Sequence, residues 1–246
     1  MAVSCKTCKR MGSAWIDPQS GRPTQYCSET CFTVCLNCHI NPRAQGVSGP
    51  ASLFCSNTCL SLTTGDRPGI IEIPESHKGF EDVSEQFDRQ WRHKVAKKKV
   101  KKVYFVILDR QQMANYNAHK EKVESNNHTS ASRQMVEMKM WHGTARICLL
   151  GNPGNTQLCE DAGCGVCGII ESSFDLGLYK GTTGWGRFGR AIYSSATSSK
   201  AATYSKSPRV STLNAMLLAT VVVGNPEILY QDSPDRTQPS PGYDSV

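Results

Sequence analysis

The stretch YCSETCFTVCLNCH, residues 26–39, decides the fold of the N-terminal region because it joins two halves of a cysteine repeat. It holds a C-x3-C pair followed, three residues later, by a C-x2-C pair. A C-x2-C pair lies upstream and a C-x3-C pair downstream, so the eight cysteines form two quartets, C-x2-C-x18-C-x3-C and C-x2-C-x16-C-x3-C. Their members are Cys5, Cys8, Cys27, Cys31, Cys35, Cys38, Cys55 and Cys59.

The flanking residues repeat together with the cysteines. The hexapeptide YCSETC at 26–31 recurs as FCSNTC at 54–59. Internal repetition at a fixed period indicates two copies of one small structural unit. The sequence therefore predicts a tandem module over residues 1–62.

The spacing within each quartet indicates structural zinc. A C-x2-C turn directs two thiolates at one point, and a C-x3-C pair fits the start of a helix. Four soft thiolates complete the tetrahedral coordination that zinc prefers and leave no position for water. The loops between the pairs, such as DPQSGRP at 17–23, cannot build a core, so metal must supply most of the folding energy. His39 follows Cys38 directly and is read as a bystander.

The aromatic-Cys-Ser-x-x-Cys knuckle resembles treble-clef-like fingers of the MYM and MYND kinds. Those families mostly bind other proteins and sometimes nucleic acid. The resemblance implies a partner for the finger module, and the alternative is a module that serves folding alone.

The cysteine content also indicates the compartment. Twelve cysteines in a chain of 246 residues, clustered and without an apolar N-terminal leader, predict an intracellular metalloprotein, nuclear or cytoplasmic. The longest apolar run, Ala215–Val223, is too short to cross a bilayer and is read as a buried strand, so no membrane partner is expected. Each site of one zinc ion and four thiolates carries a net charge of about −2. Three such sites offset much of the formal net charge of +7.

Residues 63–102 are read as a basic linker with one short helix. Val83, Phe87 and Trp91 recur every fourth residue, which predicts a helix over Asp82–His93. The run RHKVAKKKVKK at 92–102 is either a solvated linker or a nuclear-import or phosphate-binding patch.

A domain is predicted to begin at residue 103. The apolar run 102–108 is read as a strand, and Asp109 as the N-cap of a helix that continues to about Ser125. The alternating residues Met135–Met140 lead into a second strand.

A third quartet follows this strand. Its spacing is C-x10-C-x4-C-x2-C, and its members are Cys148, Cys159, Cys164 and Cys167. Four clustered cysteines predict a further zinc site, giving about three ions per chain, and the alternative is a set of free buried thiols.

Four motifs stand in a fixed order in the second half. They are WHGT at 141–144, FGRAIYS at 188–194, SKAATY at 199–204 and MLLATVVVG at 216–224. Their joint order and spacing resemble the catalytic domain of the poly(ADP-ribose) polymerase family over residues 103–246. The cysteine arrangement also resembles fungal proteins of this kind with N-terminal fingers. The resemblance implies an α+β fold of two packed antiparallel sheets with a cleft for NAD.

The resemblance also implies roles for individual residues. His142 matches the histidine that bonds a ribose hydroxyl, and Gly143 the glycine that binds the carboxamide through its backbone. Tyr204 matches the tyrosine that stacks on nicotinamide, and Tyr193 the second tyrosine of the pocket. His142 and Tyr193 are the expected catalytic residues, and Thr144 joins the expected NAD-binding set. The alternative for the two tyrosines is an ordinary place in the core.

Two departures from the family pattern are visible. Ala201 stands where the family usually has a serine that donates to the carboxamide. The family's catalytic glutamate lies on a strand expected just after Val246, so the domain looks truncated before that strand. The expected function is NAD-dependent transfer of ADP-ribose to a protein or nucleic-acid acceptor. The alternative is an inactive, zinc-stabilised module that binds NAD, ADP-ribose, protein or nucleic acid.

Overall fold

A computed structural model describes most of the chain, in two compact units. The first unit comprises residues 1–89 and 98–107, and the second residues 90–97 and 108–246. The described residues are 2–5, 11–16, 21–23, 26–28, 34–38, 41, 43–44, 53–63, 67–75, 77–127, 136–178, 186–208 and 210–246.

The first unit begins with a small hairpin and a capped helix. Strands β1 (Ala2–Ser4) and β2 (Met11–Ser13) pair antiparallel. Helix α1 (Asn57–Thr63) contains Cys59, whose N–H donates to Ser56 Oγ at 3.1 Å. The C-x3-C pair of the second quartet, Cys55 and Cys59, therefore lies at the start of a helix as predicted, and Ser56 between the two cysteines caps that helix.

The core of the first unit forms around the second quartet. Strands β3 (Gly69–Ile73) and β4 (Val103–Ile107) pair antiparallel, with Ile73 opposite Val103. Both residues pack in one buried cluster with Cys35, Leu36 and Phe54. Apolar side chains and thiols thus share a single small core.

The predicted linker contributes to this unit. It contains β3 and helix α2 (Lys78–Arg89), which begins and ends four residues earlier than predicted. Both predicted domain boundaries, at 62 and 102, fall inside the first unit. The antiparallel pairing of β3 with β4 brings together residues that are distant in sequence.

The second unit opens with a capped helix against a sheet. Helix α3 (Arg110–Asn127) starts as predicted: the Gln112 N–H donates to Asp109 Oδ1 at 2.7 Å, and the Asp109 N–H donates to Gln112 Oε1 at 2.9 Å. Strands β5 (Glu137–His142) and β6 (Leu217–Val222) pair antiparallel, with His142 opposite Leu217. The side chains of β6 are mostly half-buried, whereas the sequence predicted a buried strand.

The remaining helices of this unit are short. Helix α4 (Gly165–Ser172) follows the third quartet, a 3₁₀ turn covers Leu176–Leu178, and helix α5 (Ser198–Ala202) precedes Tyr204. The mixed helices and antiparallel ladders place the chain in the predicted α+β class. Among the helices that the structure describes, none is long and apolar enough to span a bilayer.

Candidate active site and metal centres

The second quartet converges on one point. The four Sγ atoms of Cys35, Cys38, Cys55 and Cys59 all lie within 4.8 Å of one another. Cys38 Sγ is 3.9 Å from Cys55 Sγ, which is 3.5 Å from Cys59 Sγ. A tetrahedron with Zn–S bonds of about 2.3 Å has S···S edges of roughly 3.8 Å, so the spacing fits a zinc ion.

The third quartet has the same geometry. Cys148 Sγ lies 3.7 Å from Cys164 Sγ and 3.6 Å from Cys167 Sγ, and all four Sγ atoms lie within 4.8 Å of one another. Every described cysteine of this set is a free thiol, so the donor set suits a metal and not a disulfide.

The first quartet is described only in part. Cys5 is fully buried and clusters with Tyr26, Trp15 and Cys27. Cys8 and Cys31 lie outside the described residues. The metal predicted for this quartet therefore stays a prediction.

The thiols of the third quartet differ in acidity. Burial raises the pKa of Cys167. Burial also opposes ionisation of Cys164, but hydrogen bonds from the main chain of Cys167 and Ile147 outweigh it and lower the pKa to about 7. The Cys164 thiolate therefore forms near neutral pH, whereas a metal ion must displace the proton of Cys167.

His142 and Tyr193 are joined through the main chain. Trp141 and Ser195 form an antiparallel bridge with two N–H···O bonds of 2.8 Å, which sets the end of β5 beside residue 193. His142 Nδ1 donates to the Tyr193 carbonyl at 2.8 Å, and the ring contacts Phe174 edge-on.

The same contacts fix the protonation state of His142. Burial lowers the pKa of His142, while the bond to the Tyr193 carbonyl opposes this shift. The ring is therefore neutral at pH 7, with its proton on Nδ1 and a lone pair on Nε2. A neutral ring of this tautomer can accept a hydrogen bond from a hydroxyl.

Gly143 lies against the end of α5. A Cβ added at Gly143 would overlap the main-chain oxygen of Ala201 and lie 3.1 Å from Tyr204 Cβ. The family resemblance explained the glycine at this position by a contact between its main chain and the carboxamide of NAD. The structure adds a second reason, since the backbone of helix α5 already occupies the space that a side chain would need.

The two tyrosines are held differently. Tyr193 Oη donates to the Gly189 carbonyl at 2.6 Å and accepts from the Phe188 N–H at 3.1 Å. Tyr204 is 57% exposed and has Lys200 Nζ 5.5 Å from its ring centre. Neither tyrosine is an ordinary core aromatic, and Tyr204 presents a face on which a planar ligand can stack.

Thr144 connects these residues to the third quartet. A Cβ on Gly165, the first residue of α4, would overlap Thr144 Oγ1, so these two segments are in contact. The Val166 N–H donates to the Ala145 carbonyl at 3.1 Å, and the Lys206 N–H donates to the Thr144 carbonyl at 3.2 Å. The main chain at 144–145 thus lies between the quartet's helix and the segment that follows Tyr204.

Sequence reasoning missed Arg146, a buried arginine whose hydrogen bonds join the loop at residue 152 to the chain at 211–213. Only 2% of the residue is exposed, and its guanidinium donates to Asn152 Oδ1 at 2.9 Å, Ser211 Oγ at 2.7 Å and the Leu213 carbonyl at 2.6 Å. The available signal was an arginine four residues after the end of β5, which the sequence alone does not distinguish from a surface residue.

The family model described as the poly(ADP-ribose) polymerase catalytic domain matches residues 77–246, which is most of the chain. The match begins before the predicted domain start at 103 and takes in α2. No curated protein matches the chain.

Proposed function

The chain belongs to the poly(ADP-ribose) polymerase family, and from that premise we propose that it cleaves the nicotinamide–ribose bond of NAD and transfers ADP-ribose to a macromolecule. The catalytic domain of this family is an ADP-ribosyltransferase that uses NAD. The observation that carries the residue assignment is the convergence of the strand end at His142–Gly143 with the short helix before Tyr204.

In this proposal the nicotinamide ring stacks on the exposed face of Tyr204. The main chain of Gly143 binds the carboxamide, and Nε2 of His142 accepts a hydrogen bond from a ribose hydroxyl. Tyr193, fixed through its hydroxyl by the glycine-rich turn at 186–189, forms a further wall. Ala201 leaves one carboxamide bond unmade, which weakens binding by about 0.5–1.5 kcal/mol.

The reaction exchanges one bond at the ribose C1′ atom. The C–N bond to nicotinamide breaks and its electron pair neutralises the pyridinium, while an acceptor nucleophile bonds C1′ and loses its proton. Positive charge develops on the ribose in between, as in glycoside cleavage. Groups that orient the ribose, such as His142, act most strongly when they bind that transition state better than the substrate.

We propose zinc for the cysteine quartets, in a structural role. Four thiolates per site leave no ligand position for substrate. The third quartet fixes the loop beside the nicotinamide site, because α4 touches Thr144 and bonds Ala145. Clustered free thiols also support an intracellular compartment, nuclear or cytoplasmic, which imaging of a fluorescent fusion would test.

The experiment measures two products of the reaction with NAD. Chromatography follows the nicotinamide that is released, and mass spectrometry detects the ADP-ribose that becomes attached to protein or nucleic acid. We expect release by the wild-type chain, and release at least about tenfold slower from His142→Ala at matched thermal stability. Equal rates in both forms would remove His142 from the site.

A non-catalytic module is the second candidate. The observation that favours it is that, in the described part of the chain, the side-chain hydrogen bonds of His142 and Tyr193 go to main-chain groups and to no carboxylate. Calorimetric binding of NAD without any nicotinamide release would support this module and exclude the transferase.

A further inference from the structure

Helix α5 is too short and too polar to be stabilised by its own hydrogen bonds and packing. It has five residues, and its buried members are Ser198, Ser199 and Ala201, which offer almost no apolar surface. A helix of this length is unstable in isolation, and its packing contributes little hydrophobic energy. Hydrogen bonds from elsewhere in the unit must therefore position the helix and the tyrosine that follows it.

Those bonds come from residues 90–93, called here the 90–93 segment. Ser199 is completely buried, and its Oγ accepts the main-chain N–H of Arg92 at 3.2 Å and of His93 at 3.1 Å. The same Oγ lies 2.7 Å from His93 Nδ1.

The hydroxyl of Ser199 is fully used. A serine hydroxyl accepts two hydrogen bonds and donates one. Because both acceptor positions are taken by main-chain N–H groups, its proton goes to His93 Nδ1. The Ser199 oxygen is completely buried while Arg92 and His93 are exposed, so removal of the hydroxyl would leave three bonds unmade at one buried point.

The segment also binds the strand that carries His142. Trp141 Nε1 donates to Gln90 Oε1 at 2.5 Å, and Trp141 is buried. The Ser198 N–H donates to the Gln90 carbonyl at 3.2 Å. Gln90 thus bonds the end of β5 with its side chain and the start of α5 with its main chain.

We propose that the 90–93 segment is a positioning element of the nicotinamide site, with Ser199 and His93 as positioning residues. It sets the distance between the two sides of the site, the strand end at His142–Gly143 and the helix before Tyr204. The identity of the ligand rests on the proposed function, whereas the mechanical link does not.

The first test needs no ligand. Amide hydrogen exchange is compared between the wild-type chain and Ser199→Ala. Faster exchange is expected in residues 90–93 and 198–204, with β3 and β4 unchanged. The control is Thr203→Ala, because Thr203 is exposed and its hydroxyl donates to the Lys200 carbonyl of its own turn at 2.8 Å. Unchanged exchange in residues 198–204 of Ser199→Ala would overturn the link.

The second test separates positioning from general stability. Affinities are measured for benzamide, which mimics nicotinamide, and for ADP-ribose, which lacks it. Ser199→Ala should weaken benzamide binding roughly tenfold and leave ADP-ribose binding unchanged. An equal loss for both ligands, or no loss for either, would overturn the positioning role.

Substitution at His93 completes the test. His93→Asn keeps an acceptor near the place of Nδ1 and should preserve benzamide affinity, whereas His93→Leu should reproduce the loss. Equal losses in the two variants would contradict the role of His93. If the wild-type chain binds neither compound, the proposed function fails, and the exchange experiment still decides the link.

Discussion

The second and third cysteine quartets share a geometry and differ in what surrounds them. The S···S distances are 3.5–3.9 Å in the second quartet and 3.6–3.7 Å in the third. The second quartet packs with Leu36, Phe54, Ile73 and Val103 in the core of its unit. Helix α4, which carries Cys167 of the third quartet, contacts the chain at 144–145, next to the proposed nicotinamide site. We therefore propose that the same ligand set builds a fold in one unit and supports the proposed nicotinamide site in the other.

The difference follows from the local sequence. The apolar cluster around the second quartet is small and includes the cysteines themselves, so we expect the metal to complete that core. The unit of the third quartet has helix α3 and the β5–β6 ladder for stability. Metal loss should accordingly unfold the first unit and leave the second folded with a distorted site.

Metal removal gives the largest expected effect. Elemental analysis should find about three zinc ions per chain, by the rule of four thiolates per ion. A strong chelator should unfold the first unit, because structural zinc contributes roughly 10–16 kcal/mol of binding energy to such modules. Hydrogen exchange should rise throughout β3 and β4 while β5 and β6 stay protected, and added zinc should reverse the change. A zinc content near zero would contradict the assignment of all three quartets.

Matched cysteine substitutions come next. Cys35 and Cys167 are both fully buried, so the same change to serine is made at equal burial. Cys35→Ser should unfold the first unit and leave benzamide affinity unchanged. Cys167→Ser should weaken benzamide at least about tenfold, which is 1.4 kcal/mol, and leave the first unit folded. Calorimetry measures the affinity for benzamide, and regional hydrogen exchange reports folding of the first unit. Weaker benzamide binding in Cys35→Ser together with an unfolded first unit in Cys167→Ser would contradict the proposed difference between the quartets.

A glycine substitution should have the smallest effect and leaves the metal ligands untouched. Gly165→Ala places a methyl group where Thr144 Oγ1 lies and should displace the main chain at 144–145, weakening benzamide binding several-fold at constant zinc content. Gly168→Ala in the same helix is the control, since nothing lies within 4 Å of its added Cβ. Equal affinity in both variants would show that α4 does not support the site.

Local features were predictable from the sequence. The cap at Asp109 involves residues three apart, and the quartets follow from short cysteine spacings. The positions of Gly143 and Arg146 depend on chain more than 50 residues away, at Ala201 and at Ser211–Leu213. Periodicity carries no information about such contacts, and the pairing of β3 with β4 escaped prediction for the same reason.

The proposed function depends most on Tyr204, which a short helix presents against Gly143 and which we propose stacks on nicotinamide. Calorimetry with benzamide is the most direct measurement, on the wild-type chain, Tyr204→Ala and the control Tyr230→Ala, whose side chain is 88% exposed. We predict one binding site in the wild-type chain, unchanged affinity in Tyr230→Ala, and roughly tenfold weaker binding in Tyr204→Ala from the lost stack and buried area. Equal affinity in Tyr204→Ala and the wild-type chain would contradict the account.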